Sequence, residues 1–168
     1  MRRTLLLTAA AALAVGLAAA PAHAAEVTAP QLVGIAAADG RTFATATTRD
    51  PAVLMVPRDG TAYQRWSVVL TTPTVGTRVV NAGTRGCLGI SPVTPGPVGA
   101  PVVQLPCRND TLELWRIERS GTDTTVRFVH VRTGLCMTTG ITPTPPARLS
   151  LQRCANLLDQ TYLLVNGV

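Results

Sequence analysis

The feature that most constrains this chain is a spacing that it uses twice and shadows once. Cys107 lies eight positions before Trp115, Cys154 lies eight before Tyr162, and Arg58 lies eight before Trp66. The longer offsets agree: Trp66 to Trp115 and Cys87 to Cys136 are both 49 residues, while Trp115 to Tyr162 and Cys107 to Cys154 are both 47. Two independent sets of landmarks thus give one period. A unit of about 48 residues is too small to close a core of its own, so three copies must bury their apolar faces against one another.

Within each unit the apolar residues come in short runs separated by turn residues. No sustained 3.6-residue periodicity follows the first 24 residues, so the pattern is all-β. Four strands are expected per unit: Gln31 to Ala36, Arg41 to Ala46, Ala52 to Val56 and Arg65 to Leu70, then Thr77 to Asn81, Gly86 to Ile90, Pro101 to Leu105 and Leu114 to Glu118, then Thr125 to Val131, Leu135 to Thr139, Ala147 to Gln152 and Thr161 to Val165. Asp39-Gly40 marks a tight hairpin. Proline-rich loops, Ser91 to Pro97 and Thr142 to Pro146, stiffen the second and third units without interrupting a ladder.

The N-terminus reads as an export signal over residues 1–24. Arg2 and Arg3 form a basic end, Leu5 to Ala20 an apolar run, and Ala22-His23-Ala24 a small-x-small cleavage pattern. A membrane anchor would need about 20 apolar residues, whereas this run is shorter, rich in alanine and followed by Pro21. A lipid anchor would need a nearby cysteine, and the first is Cys87. The expectation is a secreted mature chain, free of the membrane, forming one domain over residues 25–168 with repeats at about 25–72, 73–121 and 122–168.

The formal charge of +6 falls to about +4 once Arg2 and Arg3 leave, and the other 13 arginines are scattered through all three units. Nucleic-acid binding needs a clustered basic face with aromatic platforms, so that class is excluded. Lysine is absent, a bias associated with GC-rich bacterial genomes.

Four cysteines in an exported chain point to two disulfides. Of the three possible pairings, Cys87 with Cys107 and Cys136 with Cys154 is the one that matches the repeat. No Cys-x-x-Cys pair suggests a metal site, and no cofactor is expected. The mature chain's one histidine, His130, sits on a strand of alternating pattern. Ser67, Ser91, Ser120 and Ser150 lack a nucleophile's context. The acids Asp39, Asp50, Asp59, Asp110, Glu113, Glu118, Asp123 and Asp159 read as turn or surface residues. The expectation is a protein without catalytic activity.

Taken together, Gln64-Arg65-Trp66, Cys87-Leu88, Val103-Gln104-Leu105-Pro106-Cys107, Trp115, Cys136-Met137, Leu149 to Cys154 and Gln160-Thr161-Tyr162 resemble the ricin B-chain-type β-trefoil, whose units carry a Gln-x-Trp motif. The resemblance implies twelve strands, six in a barrel and six in a hairpin cap, with Gln64, Trp66, Trp115, Gln160 and Tyr162 as structural motif residues packing the core. It also implies that a competent unit holds a sugar with an Asp two positions after the first cysteine, a ring two before the second, and an Asn ahead of the motif Gln. Here the acid position holds Thr45, Gly89 and Thr138. The ring position holds Val56 in the first unit and Gln152 in the third, and it is lost to a one-residue shortening in the second. The Asn position holds Tyr63, Leu112 and Asp159.

Losing acid and ring removes both the orienting hydrogen bonds and the stacking face of an ordinary hexose site. The resemblance therefore implies a carbohydrate-binding module with degenerate or displaced sites, the best preserved lying around Thr138, Gln152 and Asp159. The rival expectation is a trefoil that binds a protein through its stiff loops, as a secreted protease inhibitor would. The expected partner is a glycan or a secreted protein, and the chain is expected to be a monomer.

Overall fold

The computed structural model describes residues 30–68, 76–92, 97–108, 110–120, 125–140 and 146–168. The export signal expected over residues 1–24, residues 93–96 and 142–145 of the two proline loops, the end of the strand expected to reach Leu70, and Asp123 all lie outside the described residues.

Twelve strands fall four to a unit. The first unit holds β1 (Gln31–Ala37), β2 (Thr42–Thr45), β3 (Leu54–Pro57) and β4 (Arg65–Val68). The second holds β5 (Val80–Asn81), β6 (Cys87–Ile90), β7 (Val102–Leu105) and β8 (Trp115–Arg119). The third holds β9 (Thr125–His130), β10 (Cys136–Thr139), β11 (Ala147–Gln152) and β12 (Tyr162–Asn166). One 3₁₀ turn precedes each unit's last strand: η1 (Ala62–Gln64), η2 (Thr111–Glu113) and η3 (Leu158–Gln160). Three expected strand starts, Ala52, Thr77 and Pro101, are single bridges instead, to Val103, Trp115 and Ser150.

Six strands close into a barrel. β1 pairs with β4 and β12, β4 with β5, β9 with both β8 and β12. The remaining gap is spanned by Thr77 and Trp115, which exchange backbone hydrogen bonds at 2.8 and 2.9 Å. The other six form the hairpins β2–β3, β6–β7 and β10–β11. Each hairpin touches the next through Ala52–Val103, Pro101–Ser150 and Ala147–Met55, which makes a three-sided cap. This is a β-trefoil. It solves the problem set by the repeat, because an isolated unit would leave both hairpin and barrel edges unpaired.

The motif rings meet at the core. Trp66, Trp115 and Tyr162 are fully buried among Ile35, Leu88, Phe128, Met137 and Leu151. Trp66 donates from Nε1 to the Ala44 carbonyl at 2.8 Å, and Trp115 donates to that of Leu88 at 2.9 Å. Tyr162, the third copy, has a buried hydroxyl with no hydrogen-bond partner among the described residues.

The motif glutamines hold the loops that follow the cap hairpins. Gln64 donates from Nε2 to the Pro57 carbonyl and accepts from the Asp59 amide, both at 2.8 Å. Gln160 does the same with Arg153 and Ala155 at 2.8 and 2.7 Å. In the second unit Glu113 takes this place, accepting from the Arg108 amide at 2.8 Å.

The disulfides are Cys87–Cys107 and Cys136–Cys154, each pinning a cap strand to the loop beyond its hairpin partner. Closing loops with separations of 20 and 18 residues restricts the unfolded chain by about 3 kcal/mol each. The first unit has no bridge. There Arg58 donates from Nη2 to the Gly167 carbonyl at 2.8 Å, fastening the equivalent loop to the C-terminal residues.

A further threefold set explains His130. Ala37, Asn81 and His130 face the motif rings Tyr162, Trp66 and Trp115 across their ladders. Each offers its carbonyl to the amide of a left-handed residue that reverses the chain: Gly40, Arg85 and Gly134. Asp39-Gly40 is thus the expected hairpin signal, closing a link that runs from residue 38 to 41. His130 is wholly buried, with Nε2 3.3 Å from the Leu112 carbonyl and Nδ1 3.1 Å from the Thr133 hydroxyl. A carbonyl can only accept, so Nε2 carries the proton and Nδ1 accepts from Thr133. The histidine is a framework residue.

Candidate functional site

The family pattern places one ligand position beside the second strand of each unit, and the three units treat it differently. In the second unit a cavity of about 360 Å³ lies beside Leu105, Pro106, Leu112 and Glu113, but its acid position is blocked. A Cβ on Gly89 would stand 2.7 Å from the Leu112 carbonyl oxygen and 2.8 Å from Leu105 Cδ1, so no acid fits between β6 and η2. In the first unit Thr45 directs its hydroxyl to the framework, donating to Phe43 at 2.9 Å and accepting from Gln64 at 3.1 Å.

The third unit keeps a cleft. Thr138, Gln152 and Asp159 line one cavity of about 530 Å³, reached from β10, β11 and η3 respectively. They contribute unequally. Thr138 is buried, and its hydroxyl repeats the bonds of Thr45, donating to Cys136 at 3.2 Å and accepting from Gln160 at 3.1 Å. It secures the floor. Gln152 is half-buried, and its amide nitrogen makes only a long contact, 3.5 Å to the Ser150 hydroxyl.

Asp159 is the acidic group of the cleft, and Arg153 lines it too. The Asp159 side chain is half-buried, and Oδ1 is shielded from solvent without a hydrogen-bond partner among the described residues. Its backbone carbonyl accepts from the Thr139 hydroxyl at 3.2 Å, which fixes η3 against the end of β10. Burial drives the Tyr162 phenol well above its ordinary 10, and the Asp159 charge adds to the effect, so the hydroxyl stays protonated at physiological pH.

The cleft also has an aliphatic wall. Val98 and Leu157, 52% and 54% exposed, both line the cavity. Val98 belongs to the second unit, between β6 and β7, so the cleft is shared between units. Sequence reasoning passed over both residues. The available signal was an apolar pair, Leu157-Leu158, standing directly before Asp159 between the last two expected strands of the third unit.

A second cleft of about 310 Å³ adjoins the first. Ala37, Asp39 and Met55 of the first unit face Ala147, Leu158 and Asp159 of the third across it, and Thr139, Gly140 and Asp159 line both cavities. Asp39 is exposed and accepts from the Arg41 amide at 3.0 Å. Among the described residues no group of three His, Cys, Asp or Glu side chains could hold a metal ion.

The solved structures that this chain is similar to share its fold at low sequence identity. The designed threefold-symmetric protein ThreeFoil aligns with a TM-score of 0.71 and 17% identity over 80% of this chain and 98% of its own. A ricin B-like lectin from Macrolepiota procera in complex with lactose aligns with a TM-score of 0.69 and 19% identity, over 83% of this chain and 98% of its own. An exo-β-1,3-galactanase from Clostridium thermocellum gives 0.69 and 12% identity over 84% of this chain, with only 31% of the galactanase matched. No curated protein matches at the sequence level. The family model described as ricin-type β-trefoil lectin domain-like matches residues 37–151, more than half of the sequence. With its fold, its motif glutamines and its motif rings in the places described above, the chain belongs to the ricin-type β-trefoil lectin domain-like family.

Proposed function

We propose that this chain is an exported, non-catalytic carbohydrate-binding module, released as residues 25–168, acting as a monomer and binding glycan through the cleft of its third unit. The observation that carries this reading is the convergence of Asp159 and Gln152 with exposed Val98 and Leu157 on one cavity. A sugar presents hydroxyls around its edge and C–H groups on its faces, so it needs acceptors beside an apolar surface. Asp159 supplies a charged acceptor, worth about 1.5 to 3 kcal/mol for a well-made bond. Gln152 supplies both donor and acceptor. Val98 and Leu157 cover a sugar face in place of the absent ring. Family membership supports the reading, as does the lactose held by the similar Macrolepiota lectin.

A glycan array printed at high density tests it, with galactose and lactose titrations in solution alongside. Saturable binding that Asp159→Ala and Gln152→Ala each reduce at least tenfold supports the assignment. Binding that survives both changes in folded protein moves the site elsewhere.

One observation favours a second reading, in which the partner is a secreted protein such as a protease. Leu157, Leu158 and Val98 are 54%, 80% and 52% exposed around a single region, and clustered exposed apolar side chains mark protein contacts as well as ligand clefts. Silence across the array, with inhibition of a secreted protease that Leu158→Asp abolishes, would favour it.

A further inference from the structure

The second cleft extends the first. A ridge formed by Thr139, Gly140 and Asp159 separates the two cavities and lines both. The Thr139 hydroxyl donates to the Asp159 carbonyl at 3.2 Å and keeps this ridge in one piece. Beyond it the walls change character. The first cleft includes Arg153, whereas the charged residues of the second are Asp39 and Asp159, both acidic. Its remaining surface is mostly small and apolar, including Ala37, Ala147, Met55 and the 80% exposed Leu158. Carboxylate acceptors beside an apolar wall repeat the chemistry of the first cleft in a second compartment.

Asp159 connects the two. Oδ1 lacks any donor among the described residues and is shielded from water, a costly state for a carboxylate oxygen. The carboxyl torsion is soft, so rotation about Cβ–Cγ presents either oxygen to a hydroxyl on either side of the ridge. Asp39 completes the far side from the β1–β2 turn of the first unit.

We infer that the ligand is a neutral oligosaccharide of at least two sugar units, one in each cleft, straddling the ridge with Asp159 accepting hydroxyl hydrogens between them. This rests on the carbohydrate reading of the third unit and specifies its ligand class. Sugars bearing carboxylate or sulfate are disfavoured in the second cleft, where Asp39 and Asp159 repel them. Because one wall comes from the first unit and the other from the third, the extended site exists only in the assembled trefoil.

The test is calorimetric titration of the full mature chain with monosaccharides and with matched oligosaccharides of two to five units from the galactose, glucose, mannose and xylose series. In the preferred series, affinity rises at least tenfold from the monosaccharide to the di- or trisaccharide. Asp39→Ala and, separately, Ala38→Trp, which fills the second cleft, abolish that gain. Melting curves establish that each variant is folded. Equal affinity for the monosaccharide and its oligomers, or a chain-length gain that survives both variants, overturns the two-cleft ligand while the single-cleft module stands. Failure of every saccharide to bind overturns both.

Discussion

Gln160 donates from Nε2 to the Thr138 hydroxyl at 3.1 Å, and Gln64 makes the same bond to Thr45 at 3.1 Å. Where the family pattern has a ligand-binding acid, these units place a hydroxyl that holds the motif glutamine. Thr138 therefore stands in the cleft wall with its polar atom facing inward. Thr138→Val should lower stability by about 1 kcal/mol through the lost hydrogen bonds and change glycan affinity little. Urea denaturation and array binding read the two effects separately. A large loss of affinity with unchanged stability would make Thr138 a direct ligand contact.

Glu113 is the odd member of the glutamine set. It accepts from the Arg108 amide, but Oε2 is buried without a partner among the described residues. In the other two units this corner holds an amide nitrogen that donates to the carbonyl seven residues upstream, Pro57 or Arg153. The corresponding residue in the second unit is Pro106. Glu113→Gln supplies the missing donor and should raise stability by about 1 to 2 kcal/mol. A lower urea midpoint for this variant would mean that the carboxylate has a partner after all.

Arg85 holds the left-handed conformation with φ of 64°, at the turn where the other units use Gly40 and Gly134 with φ of 70° and 68°. A side chain there costs about 1 kcal/mol that glycine avoids. Arg85→Gly should therefore stabilise the domain by several tenths to about 1 kcal/mol, the looser unfolded chain offsetting part of the gain. Differential scanning calorimetry would register a rise of a few degrees in Tm. A fall would show that the Arg85 side chain contributes more than its backbone costs.

His130 packs edge-on against Trp115 with ring centroids 5.2 Å apart. Burial holds its pKa below the ordinary 6.5. The Leu112 carbonyl pulls upward, Arg132 pushes downward, and the Thr111 backbone pulls upward again. The unfolded chain thus takes up a proton near pH 6.5 that the folded chain refuses until lower pH. The contribution from neutral His130 is complete above about pH 6.5 and is lost as pH falls toward the depressed folded value. Stability measured from pH 8 to 5 should decline in that window, and His130→Asn, which mimics Asn81 of the second unit, should flatten the decline. An unaltered slope in the variant would assign it to other groups.

The sequence determined the architecture of this protein because the landmarks of a tandem repeat are local. In the second and third units an eight-residue offset between cysteine and ring fixes where the hairpin ends and the last barrel strand begins, and each disulfide closes within its own unit, so one copy's spacing predicts another's. The same locality shows that acid and ring are missing from the family's ligand positions. What the sequence could not decide was which residues of different units would line one cleft. Val98 of the second unit reaches the cleft of the third, and Asp39 of the first shares the second cleft with Asp159, only after the barrel has closed and the three hairpins have docked. Likewise, the outward cleft and the inward hydroxyl of Thr138 differ by a side-chain direction set by Gln160, twenty-two residues away. A repeat period fixes contacts inside a unit. The surfaces where units meet depend on closure of the whole ring, and only the folded chain supplies that.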